Sequence, residues 1–273
     1  MERSNIIKEG TFGKIVLQED TLPYQEVVDS GWYDTHAVYI CLRAINELRK
    51  DYGNINIADI GSNPGYYTIP FARNTGGIVY SFGLNSEMRS LLSRSIFLNK
   101  LQNVLIFDRL PVLENHSSEK KSYSLDSLDM ENLRFIKFDL KPGKIRKILN
   151  GCKKTILKYS PVLYFSFLQR DFLREVEEID AIFQYLQEKE YFMVLFPDSF
   201  IAIPSLFFWA YYPHFKDRGL IIDGSYQFLT RKYKSNKYSI SHLYAKMQQG
   251  LVYCKNKCYK LRWKYRLYKN HYI

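Results

Sequence analysis

Residues 57–68 read Ile-Ala-Asp-Ile-Gly-Ser-Asn-Pro-Gly-Tyr-Tyr-Thr: an apolar strand, a tight turn bounded by glycines, and the start of a helix. This stretch constrains the fold more than any other. A short strand that feeds directly into a helix opens a β–α unit, and repeated units of that kind build parallel sheets. Gly61 and Gly65 allow the backbone to turn sharply and leave room for a ligand to approach. The helix that follows, read as Tyr66 to Arg73, turns its amino end toward polar or anionic ligand atoms. Open α/β sheets bind nucleotide-like ligands at the carboxyl ends of such strands.

The rest of the chain supports the same architecture. Residues 35–51 place Val38, Cys41, Leu42, Ile45 and Leu48 on one helical face. Strands are predicted at 55–60, 78–82, 103–107, 134–140 and 162–167, with strand-like segments at 191–196 and 199–203. Between them lie a helix capped by Ser86, with Met88, Leu91, Leu92 and Ile96 inward, and one with Ile145, Ile148, Leu149, Cys152 and Ile156 inward. A further helix, capped by Asp171, turns Leu173, Val176, Ile179, Phe183 and Leu186 inward. Strands alternating with helices predict an α/β, Rossmann-like, doubly wound and mostly parallel sheet. The reading divides the chain into an N-terminal extension (1–30), a body (31–205) and a basic, tyrosine-rich C-terminal extension (206–273).

Composition narrows the partners. Twelve of the 39 basic residues follow Asp223, none of the 28 acidic residues does, and nine tyrosines share that tail. The body is therefore close to neutral, and the net charge of +11 resides in the extension. Basic residues interleaved with tyrosines suit an anionic membrane surface through 224–273, aided by the aromatic stretch at 206–212. Nucleic acid is the lesser alternative, and a solvated basic helix is the plain one. No apolar leader opens the chain, and no run approaches the roughly 18–20 apolar residues of a membrane span. A cytoplasmic protein is expected, peripheral at the inner face of the membrane if the tail binds lipid. Cys41, Cys152, Cys254 and Cys258 are too scattered for a disulfide framework, and no metal site is expected.

With the order of segments in hand, a resemblance emerges. Asp59–Thr68 resembles the first motif of the FkbM-type S-adenosylmethionine-dependent methyltransferases. Phe97-Leu98-Asn99-Lys100-Leu101 is similar to the end of that family's second helix, and Ser124-Leu125-Asp126-Ser127-Leu128 to its Leu-Asp element. Phe135-Ile136-Lys137-Phe138-Asp139-Leu140 with Ile148–Cys152 resembles its Ile-Lys-x-Asp motif and the helix after it, and Tyr159–Phe165 its approach to strand five. The match spans residues 30–200.

The resemblance implies a class I methyltransferase fold, S-adenosyl-L-methionine as cofactor, and methyl transfer to an oxygen, such as a sugar hydroxyl of a glycan or glycolipid. It assigns Asp59, Gly61, Ser62, Asn63, Gly65 and Tyr66 to cofactor binding. Asn85 or Glu87 stands in at the end of the second strand, where the family carries a Glu, and Asp139 and Lys137 are the catalytic candidates. The reaction itself asks chiefly for alignment of acceptor, methyl carbon and sulfur, with a base to take the hydroxyl proton. Where the family carries acidic residues, this chain has Gly83, Lys141, Lys144 and Ser166. A catalytically inactive relative serving as a binding or scaffold module is the alternative, and a nucleic-acid-binding protein acting through the tail is a third. Lys137 stands open between a catalytic and a strand-packing role, Asp126 between a turn and a cap, and His116 between a base and plain surface.

Overall fold

The computed structural model describes residues 5–19, 22–83, 85–112, 123–166, 175–196, 199–207, 210–211 and 220–222. The chain opens with a hairpin, β1 (Asn5–Gly10) and β2 (Gly13–Gln18), followed by helices α1 (Leu22–Ser30) and α2 (Thr35–Tyr52). Then come β3 (Ile55–Ile60), α3 (Thr68–Asn74), β4 (Gly76–Phe82), α4 (Ser86–Leu98) and β5 (Val104–Phe107). The second half contributes β6 (Leu133–Asp139), α5 (Pro142–Asn150), α6 (Lys153–Tyr159), β7 (Val162–Ser166) and α7 (Val176–Glu188). It closes with β8 (Tyr191–Leu195), β9 (Ser199–Pro204) and β10 (Leu220–Ile222).

Eight of these strands form one sheet in the order β10-β8-β9-β7-β6-β3-β4-β5. The pairings from β5 through β7 are parallel, whereas β9 runs antiparallel to β7 and β8, and β10 antiparallel to β8. This is the doubly wound, mostly parallel, Rossmann-like architecture expected from the sequence. The chain leaves β3 in one direction to build β4 and β5, then returns to lay β6 on the opposite flank. The strand order therefore reverses between β3 and β6, the kind of switch point at which open α/β sheets hold their ligands.

Two apolar layers sandwich the sheet, because alternate strand residues face opposite sides. Ile57 and Phe135 join α2 and α3 in one layer; Ala58, Ile60, Ile136 and Phe138 join α5, α6 and α7 in the other. In the second layer Phe138 stacks on Phe165 at 5.0 Å, and Phe165 on Phe200 at 4.3 Å. Asp126 proves to be a cap. Its carboxylate accepts the backbone N–H groups of Lys154 and Thr155 and the Thr155 hydroxyl, satisfying the first turn of α6 from another segment.

Several expectations need adjustment. The cap of α4 is Asn85, whose side-chain oxygen accepts Glu87 N–H at 2.8 Å; Ser86 lies inside the helix. The single helix drawn across Ile145–Ile156 is broken at Gly151 into α5 and α6. Residues before 31 are folded onto the body: Val16 N–H donates to Ser95 Oγ and Lys14 N–H to Asn99 Oδ1, both at 2.9 Å, while Phe12 meets the Trp32 ring edge-on. Residues after 205 also enter the body. Phe207 and Tyr211 are buried and Tyr211 Oη donates to the Ala44 carbonyl, so these two rings of the 206–212 stretch serve the core and are withheld from any membrane. Asp171, Leu173, His116, Cys254, Cys258 and the tail 224–273 lie outside the described residues. Among the described ones, no helix is long and apolar enough to cross a membrane.

Candidate active site

Strand register assembles the centre of the site. Asp59 of β3 sits opposite Lys137 of β6, and Lys137 opposite Tyr164 of β7. Asp139, two residues after Lys137, projects on the same face. Lys137 is 1% exposed, and its ammonium lies 3.1 Å from Asp59 Oδ1, 3.4 Å from Asp139 Oδ2 and 3.0 Å from the Gly61 carbonyl. The Tyr67 ring covers it at 4.4 Å. Asp59 is fully buried, and its other oxygen accepts Thr68 Oγ1 at 2.6 Å. Its carboxylate thus faces Lys137 and Thr68, an interior bracket between β3, β6 and α3. Burial by itself pulls Lys137 down, but Asp59 and Asp139 more than offset it, so its pKa is raised and it stays an ammonium. A group held protonated in this way organises its neighbours and is a poor proton acceptor.

Asp139 is the member that reaches outward. Its side chain is 31% exposed at the carboxyl end of β6, and Asn63 Nδ2 donates to Oδ2 at 3.1 Å. Asn63 is exposed and adopts the left-handed conformation (φ 49°) in the turn after β3. The glycines of that turn also serve packing. A Cβ on Gly61 (φ +84°) would stand 2.3 Å from the Asp139 carbonyl oxygen, and one on Gly65 (φ +111°) 2.8 Å from Leu92 Cδ1. Their missing side chains let β3's exit abut β6 and α4.

Other candidates fall around this centre. Ser62 is buried, and its hydroxyl has no partner among the described residues. Tyr66 is buried too, its carbonyl accepting Trp32 Nε1–H at 2.8 Å. Burial chiefly raises the Tyr66 phenol, so it holds its proton. Asn85 spends its side-chain oxygen on the α4 cap. A pocket of about 200 Å³ lies beside the turn, walled by Leu17 and Gln18 of β2, Tyr33, Asn63, Tyr66 and Met88. Asn63 links this pocket to Asp139.

Asp34 and Arg89 were not singled out in the sequence. Asp34 precedes α2 in a left-handed conformation (φ 52°), makes no side-chain cap bond, and instead accepts the Tyr67 hydroxyl. Burial is the main cause that raises its pKa, and the charges of Glu26 and Asp139 add to it. An aspartate directly before a helix reads as a cap, so nothing in the sequence marked this departure. Arg89 lies across the end of β4, donating from Nη1 to the Gly83 carbonyl at 3.0 Å. Cys41 and Cys152 are buried thiols pushed upward chiefly by that burial, and among the described residues no acidic, histidine or cysteine cluster is arranged to hold a metal.

No protein-family model and no curated protein matches the chain. Solved structures with a similar arrangement include a methyltransferase FkbM from Methylobacillus flagellatus (15% identity, 55% of this chain and 43% of that one, TM-score 0.44). An O-methyltransferase from Bacillus cereus in complex with SAH is 17% identical over 62% of this chain and 80% of that one, with a TM-score of 0.42. An rRNA methylase from Streptococcus thermophilus is 15% identical over 61% and 92%, with a TM-score of 0.43.

The network generates two expectations. Lys137→Met strands the Asp59 carboxylate in the core and should cost about 3–5 kcal/mol of stability. Adding Asp59→Leu should recover part of that loss in urea unfolding, whereas strictly additive losses would mean that the two residues do not act as a pair. Asp34 offers a pH test. Because its folded pKa lies above the ordinary 3.8, the folded state binds the proton more tightly, and the wild type loses stability as pH rises through that window. Asp34→Asn keeps an oxygen for Tyr67 without the ionisation, so its stability relative to wild type should grow from pH 3 upward and then level off. A pH-independent difference in urea midpoints would contradict this.

Proposed function

We propose that the chain is an S-adenosylmethionine-dependent O-methyltransferase of the FkbM type, acting on a sugar hydroxyl of a glycan or glycolipid. The observation that carries the reading is the outward-facing Asp139 carboxylate, pinned by Asn63 and Lys137 where the strand order reverses. A crevice at that point is the place where open α/β sheets hold nucleoside ligands. The residues there fit such a cofactor. The unpartnered Ser62 hydroxyl supplies a buried polar group for it, the turn 61–66 forms the floor, and Asn63 and Asp139 supply polar groups at the rim.

When bound, S-adenosylmethionine supplies an activated methyl group. What remains for the protein is to align an acceptor hydroxyl, exclude water and receive one proton. Asp139 is the group for that proton, being the carboxylate of the network with an open face. Lys137 acts as a fixed positive post that orients Asp139 and the Gly61 carbonyl, and Asp59 holds Lys137. Asn63 keeps the remaining rotational freedom of Asp139 small. Asp34, behind Tyr67, sets the position of the ring that covers Lys137.

Calorimetric titration tests the first step: S-adenosylmethionine should bind the full chain, and an absence of heat at millimolar cofactor would defeat the proposal. Asp139→Asn should leave that binding within a few-fold. Transfer of labelled methyl groups to glycolipid acceptors should fall about a hundredfold or more. A second reading, a methyltransferase-like binding module, draws on Gly83, which leaves the end of β4 without a carboxylate; cofactor binding without any methyl transfer would favour it.

The basic segment 224–273 is proposed to bring the protein to anionic membrane surfaces where glycolipids reside, each basic residue contributing about 1 kcal/mol. Pelleting with phosphatidylserine vesicles should exceed that with phosphatidylcholine vesicles and fall as salt is raised. Equal pelleting with both would remove the membrane from the proposal.

A further inference from the structure

The end of β4 is built around a cation where a nucleoside cleft ordinarily carries an acid. Gly83 donates its N–H to the Phe107 carbonyl at 3.3 Å and accepts Arg89 Nη1 at 3.0 Å. The arginine stem occupies the space that a side chain at 83 would need. A Cβ built there would stand 2.8 Å from Arg89 Cγ and 3.4 Å from Cδ. Glycine at 83 and the placement of Arg89 are therefore one feature. The Ser62 hydroxyl lies 3.5 Å from the same Cβ position, on a residue 2% exposed, and has no hydrogen-bond partner among the described residues.

A buried hydroxyl left unpaired is costly, and its retention points to a ligand atom that completes it. The guanidinium carries five N–H donors in a rigid fork suited to phosphate, and Gly83 is its one hydrogen-bond partner among the described residues. Of the nearby carboxylates, Asp108 pairs with Arg109 at 3.2 Å while also feeling the charge of Arg89, and Glu87 accepts the Gln18 amide. In dinucleotide-binding folds the second strand's end reads the ribose. A carboxylate there accepts from the ribose hydroxyls, whereas an arginine accommodates a phosphate esterified to them.

We infer that Ser62 and Arg89 form an anion subsite at the ribose end of the cleft, which takes a nucleoside carrying a phosphate on its 2′ or 3′ oxygen. The inference rests on the proposed reading that a nucleoside lies across the ends of β3 and β4. Such a nucleotide binds more tightly than its unphosphorylated parent and competes with S-adenosylmethionine for the same crevice.

Calorimetric titration of the full chain with adenosine, adenosine 2′-monophosphate, adenosine 3′-monophosphate, adenosine 5′-monophosphate, inorganic phosphate and S-adenosylmethionine tests this. The 2′ or 3′ monophosphate should bind at least about tenfold more tightly than adenosine, the gain of a charge-assisted contact. It should also exceed the 5′ isomer and inorganic phosphate, and displace S-adenosylmethionine. Arg89→Glu should abolish that gain and favour adenosine; Arg89→Met, which keeps the stem over Gly83, should abolish it without the reversal and serves if the glutamate variant does not fold. Ser62→Ala should weaken the monophosphate several-fold. If adenosine or S-adenosylmethionine binds but a ribose phosphate adds nothing, the anion subsite is overturned and the nucleoside cleft stands. Inorganic phosphate binding as tightly as the nucleotides would also overturn it, and no binding by any nucleoside would overturn both.

Discussion

One buried ion pair organises the crevice. Among the described residues, the Lys137 ammonium is held by Asp59, Asp139 and the Gly61 carbonyl beneath the Tyr67 ring. A lysine almost without exposure persists only when its charge is matched in this way. Because its partners come from β3, from the turn after it and from β6 itself, the pair ties together the strands between which the sheet reverses its order. The close abutment of Gly61 on the Asp139 carbonyl belongs to the same joint.

The amino-terminal segment buttresses that joint from outside. The β1–β2 hairpin fastens to α4 through Ser95 and Asn99. Phe12 meets Trp32, and Trp32 Nε1 reaches the Tyr66 carbonyl in the turn. Tyr67 carries the connection inward, its hydroxyl on Asp34 and its ring over Lys137. A continuous chain of aromatic and polar contacts therefore runs from the hairpin to the buried ammonium. It makes the segment before residue 31 part of the crevice wall.

The cleft is electrostatically divided. At β6 and the start of α2, the carboxylates of Asp139 and Asp34 set the local charge. At the end of β4 there is a guanidinium lying over a glycine. That division gives the methyl-transfer proposal and the ribose-phosphate subsite separate physical footings within one crevice.

Much of this was legible in sequence order, because helix and strand periodicity is local. The β–α alternation, the Gly61–Gly65 turn and the exit of β6 at Asp139 all follow from short stretches whose neighbours along the chain settle their conformation. Lys137 and Asp139 on one face follow from the two-residue period of a strand. What the sequence left open was every feature that requires two distant segments to meet. The pairing of Asp59 with Lys137 depends on the register between β3 and β6, and the turn's glycines turned out to answer to Asp139 and Leu92. Asp34 and Arg89 were not singled out in the sequence: the Tyr67 hydroxyl engages the one, and the bare end of β4 gives the other its place. Local propensity thus determined the elements. Only the tertiary structure decided which charges share the crevice, because burial and strand register, which govern a charge's partners, are not written in any one segment.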